Sequence, residues 1–140
     1  MTTRRTRGLV ELLLLVLSAI LSVSDALADT ATIVLSSPEA TIQTYFDGYN
    51  LGDPRAIAAT FLNPRTIEPT GLGVPRKYRI VSKKRVIESR VAARDDLEIV
   101  TLTEVQWPNG QVERMVTTFF LRSVGGEWKI VGYASEPSSD

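Results

Sequence analysis

The sequence predicts an α+β domain in which N-terminal helices pack on one face of a strongly curved antiparallel sheet. Two observations carry this prediction. Between residues 37 and 62, apolar side chains recur at spacings of three and four, the period of an amphipathic helix. From Arg65 onward the period falls to two, and Asn109-Gly110 and Gly125-Gly126 mark tight turns between strands. Helices followed by a meander of strands are typical of the α+β class.

Two helices are predicted, and each begins with a capping residue followed by proline. The first begins at Ser37-Pro38 and ends at Asn50-Leu51-Gly52, and the second begins at Asp53-Pro54 and ends at Asn63-Pro64. Their apolar faces consist of Ile42, Tyr45, Phe46 and Tyr49 in the first helix and of Ile57, Ala58, Phe61 and Leu62 in the second.

The rest of the chain is predicted as strands and turns. Arg65–Glu68 is a short strand candidate, and Thr70–Pro75 is predicted as a loop because it contains two glycines. Lys77–Ser82 and Arg85–Ala92 alternate only weakly. The stronger strand predictions are Leu97–Trp107, Val112–Val124 and Trp128–Ala134, followed by a polar tail from Glu136 to Asp140.

The strand Val112–Val124 carries apolar residues on both of its faces. Val112, Val116 and Phe120 share one face, and Met115, Phe119 and Leu121 share the other. A sheet that is covered on one side alternates more cleanly. We therefore expect one face to meet the helices and the other to meet a second subunit, which gives a homodimer.

Residues 1–28 have the pattern of a secretory signal peptide. Arg4, Arg5 and Arg7 precede a short apolar run over Leu9–Val23, and Ala26-Leu27-Ala28 fits a cleavage site. We expect cleavage after Ala28 and a secreted or periplasmic domain over residues 29–140. An uncleaved leader would instead anchor the protein to the membrane.

Composition excludes several kinds of chemistry. The sequence has no cysteine and no histidine, which removes thiolate nucleophiles, imidazole bases and the usual zinc sites. Proton transfer would have to use Asp, Glu, Lys or Tyr. No cofactor or metal site is predicted. The formal net charge is zero, so we expect no nucleic-acid partner.

The run Arg76–Arg85 holds six basic residues and no acid. It could face an anionic ligand or a membrane surface. The favoured interpretation is a solvated loop and edge strand, where lysine also blocks sheet-to-sheet aggregation. Trp107 and Trp128 are predicted to pack in the sheet or on a dimer face.

The segment from Ala40 to Phe61, with Asn50-Leu51-Gly52-Asp53 between its helices, resembles the opening of nuclear transport factor 2-like proteins. This superfamily includes ketosteroid isomerases and SnoaL-like polyketide cyclases. The run Gly126-Glu127-Trp128-Lys129-Ile130-Val131 is similar to the end of their meander. The resemblance covers nearly all of residues 29–140. It implies a cone-shaped fold in which a bent sheet wraps a long helix, encloses an apolar pocket and often dimerises.

The resemblance to ketosteroid isomerases implies two catalytic candidates. Tyr45 falls at the position of a tyrosine that hydrogen-bonds the developing oxyanion, and Glu68 lies at or one residue from the acid that moves the proton. Phe119 stands where the second oxyanion donor, an acid, is expected, and it offers no such bond. The residues alone leave Tyr45 open as a core aromatic and Glu68 open as a solvated loop residue.

The sequence therefore favours an exported domain that binds without catalysis. Its partner would be a small apolar or amphipathic ligand in a pocket lined by Tyr49, Phe61 and Phe119, or a protein on the open sheet face. The alternative is a SnoaL- or isomerase-like enzyme acting on a carbonyl compound, with Glu68 as general base and Tyr45 as oxyanion donor.

Overall fold

The computed structural model describes residues 29–64, 76–87, 92 and 95–139. The helices are α1 (Pro38–Leu51) and α2 (Pro54–Thr60), and the strands are β1 (Lys77–Val86), β2 (Leu97–Gln106), β3 (Val112–Val124) and β4 (Glu127–Pro137). The strands form one antiparallel sheet in the order β1-β2-β3-β4, and both helices pack against it. The predicted α+β class is confirmed. The leader, the strand candidate Arg65–Glu68 and the loop Thr70–Pro75 lie outside the described residues.

The helix boundaries follow from local capping chemistry. The Ser37 hydroxyl accepts a hydrogen bond from the Ala40 N–H at 3.1 Å, and the Asp53 carboxylate accepts from the N–H groups of Arg55 and Ala56. Each bond satisfies a backbone donor that the first helical turn leaves without a partner. Gly52 ends α1 with φ of +63°, a left-handed conformation that glycine adopts without steric cost.

An extended segment over residues 29–35 joins the helices to the last strand. The Ala31 N–H donates to the Asp53 carboxylate, and the Trp128 N–H donates to the Leu35 carbonyl at 2.8 Å. Asp53 therefore caps α2 and also binds the start of the domain. The Thr41 hydroxyl of α1 donates to the Trp128 carbonyl at 2.9 Å, so α1 and β4 are joined by side chain as well as by packing.

The core lies between the helices and one face of the sheet. On β2 and β3 this face carries the odd-numbered residues, and its fully buried members include Ile99, Phe119 and Leu121. Burial of each such side chain contributes roughly 1.5–3 kcal/mol. The buried cluster consists of Ile42, Tyr45, Phe46, Ile57, Phe61, Ile99, Phe119, Leu121 and Ile130.

Two irregularities change which residues face the core. The pairing of β1 with β2 shifts between Ile80 and Ser82, and the pairing of β4 with β3 shifts at Val131. An extra residue of this kind bends a strand and reverses the alternation beyond it. β1 is one strand from Lys77 to Val86, so the separation of Lys77–Ser82 from Arg85 onward was wrong. Residues 88–91 of the predicted segment Arg85–Ala92 lie outside the described residues. β4 also runs to Pro137, into the predicted polar tail.

The face of the sheet away from the helices is partly apolar. Val100, Leu102, Val116 and Phe120 are half-buried there, with no described element packed over them. Glu104 lies on the same face between two arginines on the neighbouring strands, Arg79 and Arg114. Neither α1 nor α2, the helices of the described residues, has the length and apolar character needed to cross a membrane.

Candidate functional site

A cavity of about 360 Å³ opens between α1 and the helix-facing side of the sheet. The helix covers the sheet around Phe119, whose ring centroid is 5.3 Å from that of Tyr45. The strands continue past this contact toward the β2–β3 turn. Because no described helix covers that end of the sheet, the cavity lies there.

The helical wall of the cavity consists of Tyr45, Phe46 and Tyr49. Tyr49 shares a face of α1 with Tyr45 and Phe46 because it follows them by four and three residues, the spacings of the helical period. Tyr45 and Tyr49 were both predicted from sequence as site residues. The structure brings them together, with ring centroids 4.9 Å apart.

The sheet wall combines hydroxyl groups with apolar surface. The Thr117 and Ser135 hydroxyls are 2.8 Å apart across β3 and β4, and the Thr103 hydroxyl donates to the Met115 carbonyl. Strands β2, β3 and β4 contribute the side chains of this wall, which are Thr103, Val105, Glu113, Met115, Thr117, Tyr133, Ser135 and Pro137.

Phe61 and Phe119, which the sequence places in the pocket lining, lie behind Tyr45. Their side chains are 4% and 0% exposed, and their ring centroids lie 5.9 and 5.3 Å from that of Tyr45. They support the wall that Tyr45 forms. Tyr133 packs against the same cluster, with its centroid 6.1 Å from Tyr45, and its side chain reaches the cavity.

The hydroxyls of Tyr45, Tyr49 and Tyr78 remain protonated at neutral pH. Burial raises the pKa of Tyr45 far above its usual value, and neighbouring tyrosines add to the rise. Burial also raises the pKa values of Tyr49 and Tyr78, while the guanidinium of Arg76 acts in the opposite direction on both. The hydroxyls are thus neutral hydrogen-bonding groups. The high pKa of Tyr45 makes it a weaker donor to a developing oxyanion.

One rim of the cavity is formed by Arg76, Trp107 and Glu113. The guanidinium carbon of Arg76 lies 4.8 Å from the centroid of the Trp107 ring, within the range of a cation–π contact. The Trp107 indole N–H donates to the Glu113 carboxylate at 3.3 Å. The indole therefore lies between a cation on its face and an anion at its edge.

Sequence reasoning missed this rim. Arg76 was assigned to a solvated basic run, and Trp107 to sheet packing or a dimer face. Strand pairing brings them together: Lys77 pairs with Gln106 at the end of the ladder, and Arg76 and Trp107 each lie one residue beyond that pair. Val105 pairs with Glu113 on the same face. Alternation counted forward from Val105 would have placed Trp107 on the core side.

Glu68, the proposed general base, lies outside the described residues, so its distance from Tyr45 is not defined. In residues 29–64, 76–87, 92 and 95–139, no group of three or more potential metal ligands occurs. Glu113 is the carboxylate among the described residues that line the cavity.

Neither a protein-family model nor a curated protein matches the chain. Solved structures do. A chain of Bd1075 from Bdellovibrio bacteriovorus superposes with a TM-score of 0.57 at 13% identity over 71% of this chain, which spans 40% of that one. A protein from Thiobacillus denitrificans, described as a calcium/calmodulin-dependent protein kinase type II association domain, gives 0.58 at 13% identity. The match covers 77% of this chain and all of that one.

A third match carries the same description and comes from Xanthomonas campestris. Its TM-score is 0.53 at 15% identity, over 80% of this chain and 99% of that one. At such identities the likeness establishes a shared fold and nothing about ligands. It agrees with helices packed on an antiparallel sheet.

Proposed function

We propose that this protein is a member of the nuclear transport factor 2-like superfamily and has its cone-shaped fold. We further propose that it binds a small amphipathic ligand in the cavity between α1 and the sheet. The sequence resemblance over residues 40–61 and 126–131 supports the family. The likeness to the association domains supports the fold.

One observation carries the ligand-binding proposal. The cavity of about 360 Å³ combines an aromatic wall on α1 with hydroxyl groups on β3 and β4. Ligand sites in proteins typically have apolar walls and a few polar groups that fix orientation. A packed core would instead fill such a space with side chains, because voids of this size are costly.

The test is to identify small molecules that remain bound to the purified protein by native mass spectrometry. Ser135→Trp places an indole in the cavity from an exposed position on β4. Ser123→Trp is the matched control, at an exposed position on β3 away from the cavity. We expect the wild type and the control to retain the same molecules and Ser135→Trp to lose them. The same set on all three proteins would contradict the proposal.

Proton transfer on a carbonyl compound is a second candidate, favoured by the position of Tyr45 in the cavity wall. In that mechanism Glu68 removes a proton and Tyr45 donates to the oxyanion. The test is isomerisation of a β,γ-unsaturated ketone, followed by ultraviolet absorbance. Wild-type turnover that is abolished by Tyr45→Phe and by Glu68→Gln would support the enzyme. Turnover as fast in both variants as in the wild type would exclude these roles.

The open sheet face favours a homodimer. Val100, Leu102, Val116 and Phe120 form an apolar surface that a second copy would cover. Sedimentation velocity tests this, and we expect a dimer for the wild type. Ile87→Lys is the control, because Ile87 is 97% exposed, and it should also be a dimer. Leu102→Lys should give a monomer. A monomeric wild type would contradict the assignment.

We also propose that the domain is exported, with cleavage after Ala28. The supporting observation is the basic start, apolar run and small residues of the leader. Intact-mass measurement of the protein from the producing cell should give a chain beginning at Asp29. A chain that retains residues 1–28 would instead support a membrane anchor.

A further inference from the structure

Arg76 differs from the other arginines of the described ranges. Each of the others pairs with a carboxylate: Arg55, Arg79, Arg85, Arg114 and Arg122. No carboxylate of the described residues lies within ion-pair distance of Arg76, although its side chain is half-buried at the cavity rim. A half-buried positive charge without an anion is unfavourable unless something else supplies the anion.

The hydrogen bonds of Arg76 support the same conclusion. Its Nε is buried, and no acceptor in the described part of the chain reaches it. Buried donors are nearly always satisfied in folded proteins, so an unsatisfied one requires an explanation. The Trp107 ring lies beside the guanidinium, but an aromatic face supplies no lone-pair acceptor, so this contact leaves the Nε–H unsatisfied among the described residues.

The charge of Arg76 acts on the cavity itself. Arg76, Tyr49 and Tyr78 line the same cavity. Burial raises the pKa values of both tyrosines, and the guanidinium of Arg76 opposes this rise. Neutral tyrosine hydroxyls and a cation thus converge on one end of the cavity. They are the groups that bind an anionic oxygen.

The charge balance of the lining selects the kind of anion. Among the described lining residues Arg76 is the cation and Glu113 the acid. With one positive and one negative charge the described lining is neutral, so a monoanion adds one net negative charge beside Glu113 and a dianion such as a phosphate monoester adds two. The monoanion is therefore the less costly occupant. The planar guanidinium also matches the two oxygens of a carboxylate.

We propose that the cavity binds a small monocarboxylate with an aromatic or apolar body, its carboxylate paired with Arg76 and its body against Tyr45 and Met115. This inference rests on the proposed ligand-binding function and adds the chemical class of the ligand. It also accounts for the aromatic stack, because Trp107 holds the guanidinium in place before the ligand arrives.

The experiment compares two probes of the same shape, 4-phenylbutyrate and its neutral amide 4-phenylbutanamide, by isothermal titration calorimetry at neutral pH. Because hydrogen bonds to charged groups are stronger than neutral ones, we expect the carboxylate to bind about tenfold more tightly. Arg76→Gln should remove this preference, and Arg76→Lys should retain part of it. Arg79→Gln is the matched control three residues further along the chain. Arg79 pairs with Glu104 on the opposite face of the sheet, so this variant should bind like the wild type.

Each outcome separates the two proposals. Equal affinity for both probes in the wild type overturns the carboxylate inference and leaves ligand binding intact. Binding of neither probe overturns both. A carboxylate preference that survives in Arg76→Gln refutes the role of Arg76.

If Arg76→Gln fails to fold, the wild type still provides the answer by nuclear magnetic resonance. The Arg76 Nε–H resonance should move on addition of the carboxylate and stay in place with the amide. An Nε–H resonance that stays in place with both probes overturns the inference.

Discussion

The contact between α1 and α2 leaves room for glycine alone at position 48, and this gives the sharpest prediction about stability. A Cβ at Gly48 would lie 2.8 Å from Ile57 Cγ1, 3.1 Å from the Ile57 backbone nitrogen and 3.3 Å from Ala56 Cβ. Alanine is the better helix former by about 1 kcal/mol in an exposed helix interior. Overpacking a tight contact costs about 1–3 kcal/mol. The backbone nitrogen cannot rotate away, so we expect the upper part of that range.

Gly48→Ala should therefore lower the free energy of unfolding by about 1–2 kcal/mol, which in a domain of this size lowers Tm by roughly 5–10 °C. Thermal unfolding followed by circular dichroism measures the change. Gly132→Ala is the matched control, because a Cβ there meets no atom within 4 Å. Its stability should be unchanged or slightly higher, since glycine in a strand costs about 0.5–1 kcal/mol. If Gly48→Ala were as stable as the control, the packing of α1 on α2 described above would be wrong.

Three further predictions concern hydrogen bonds and titration. Thr41→Val should lower the free energy of unfolding in urea by about 1–3 kcal/mol, because the fully buried Thr41 hydroxyl no longer donates to the Trp128 carbonyl. An unchanged midpoint would refute that bond. The hydrogen bond from Arg85 lowers the pKa of Glu39 in the folded state. The stability that this pair contributes is therefore present above the pKa of Glu39 in the unfolded chain and is lost as pH falls through its folded pKa. Stability should therefore decrease below about pH 5, and less steeply in Arg85→Gln; equal slopes would contradict the pairing. Since burial raises the pKa of Tyr45, tyrosinate absorbance at alkaline pH should show a fraction that ionises only on unfolding, and Tyr45→Phe should shrink it.

The helices could be predicted from the sequence because their signals are local. Ser37 and Asp53 accept the capping bonds that their side chains suggest, and Gly52 adopts the left-handed conformation expected at the end of α1. The strand Val112–Val124 was predicted with its exact bounds. β1 was not, because the shift between Ile80 and Ser82 reverses the alternation on which strand prediction depends.

The residues of the candidate site also fall into two groups, those that could be predicted from local sequence and those that could not. Tyr45 and Tyr49 could be found from the helical period alone, since both lie on the apolar face of α1. Arg76 directly precedes β1, Trp107 directly follows β2 and Glu113 lies in β3, so their proximity depends on the pairing of these three strands. Within the sequence Arg76 is one of six bases in the ten-residue run from Arg76 to Arg85, which contains no acid. Arg79 in the same run has an exposed ion pair. Which of them faces the cavity is decided by the strand register.

The central claim is that the cavity beneath α1 binds a small amphipathic molecule, and the two tryptophans provide the most direct measurement. The Trp107 indole lies on the cavity rim, whereas Trp128 packs at the far end of the core and its ring is not among the described lining residues. In ¹H–¹⁵N spectra of the wild type titrated with 4-phenylbutyrate, the indole N–H of Trp107 should shift in a saturable way and that of Trp128 should remain in place. A shift confined to Trp128 or to the outer sheet face around Leu102, or no shift at either indole, would contradict the account.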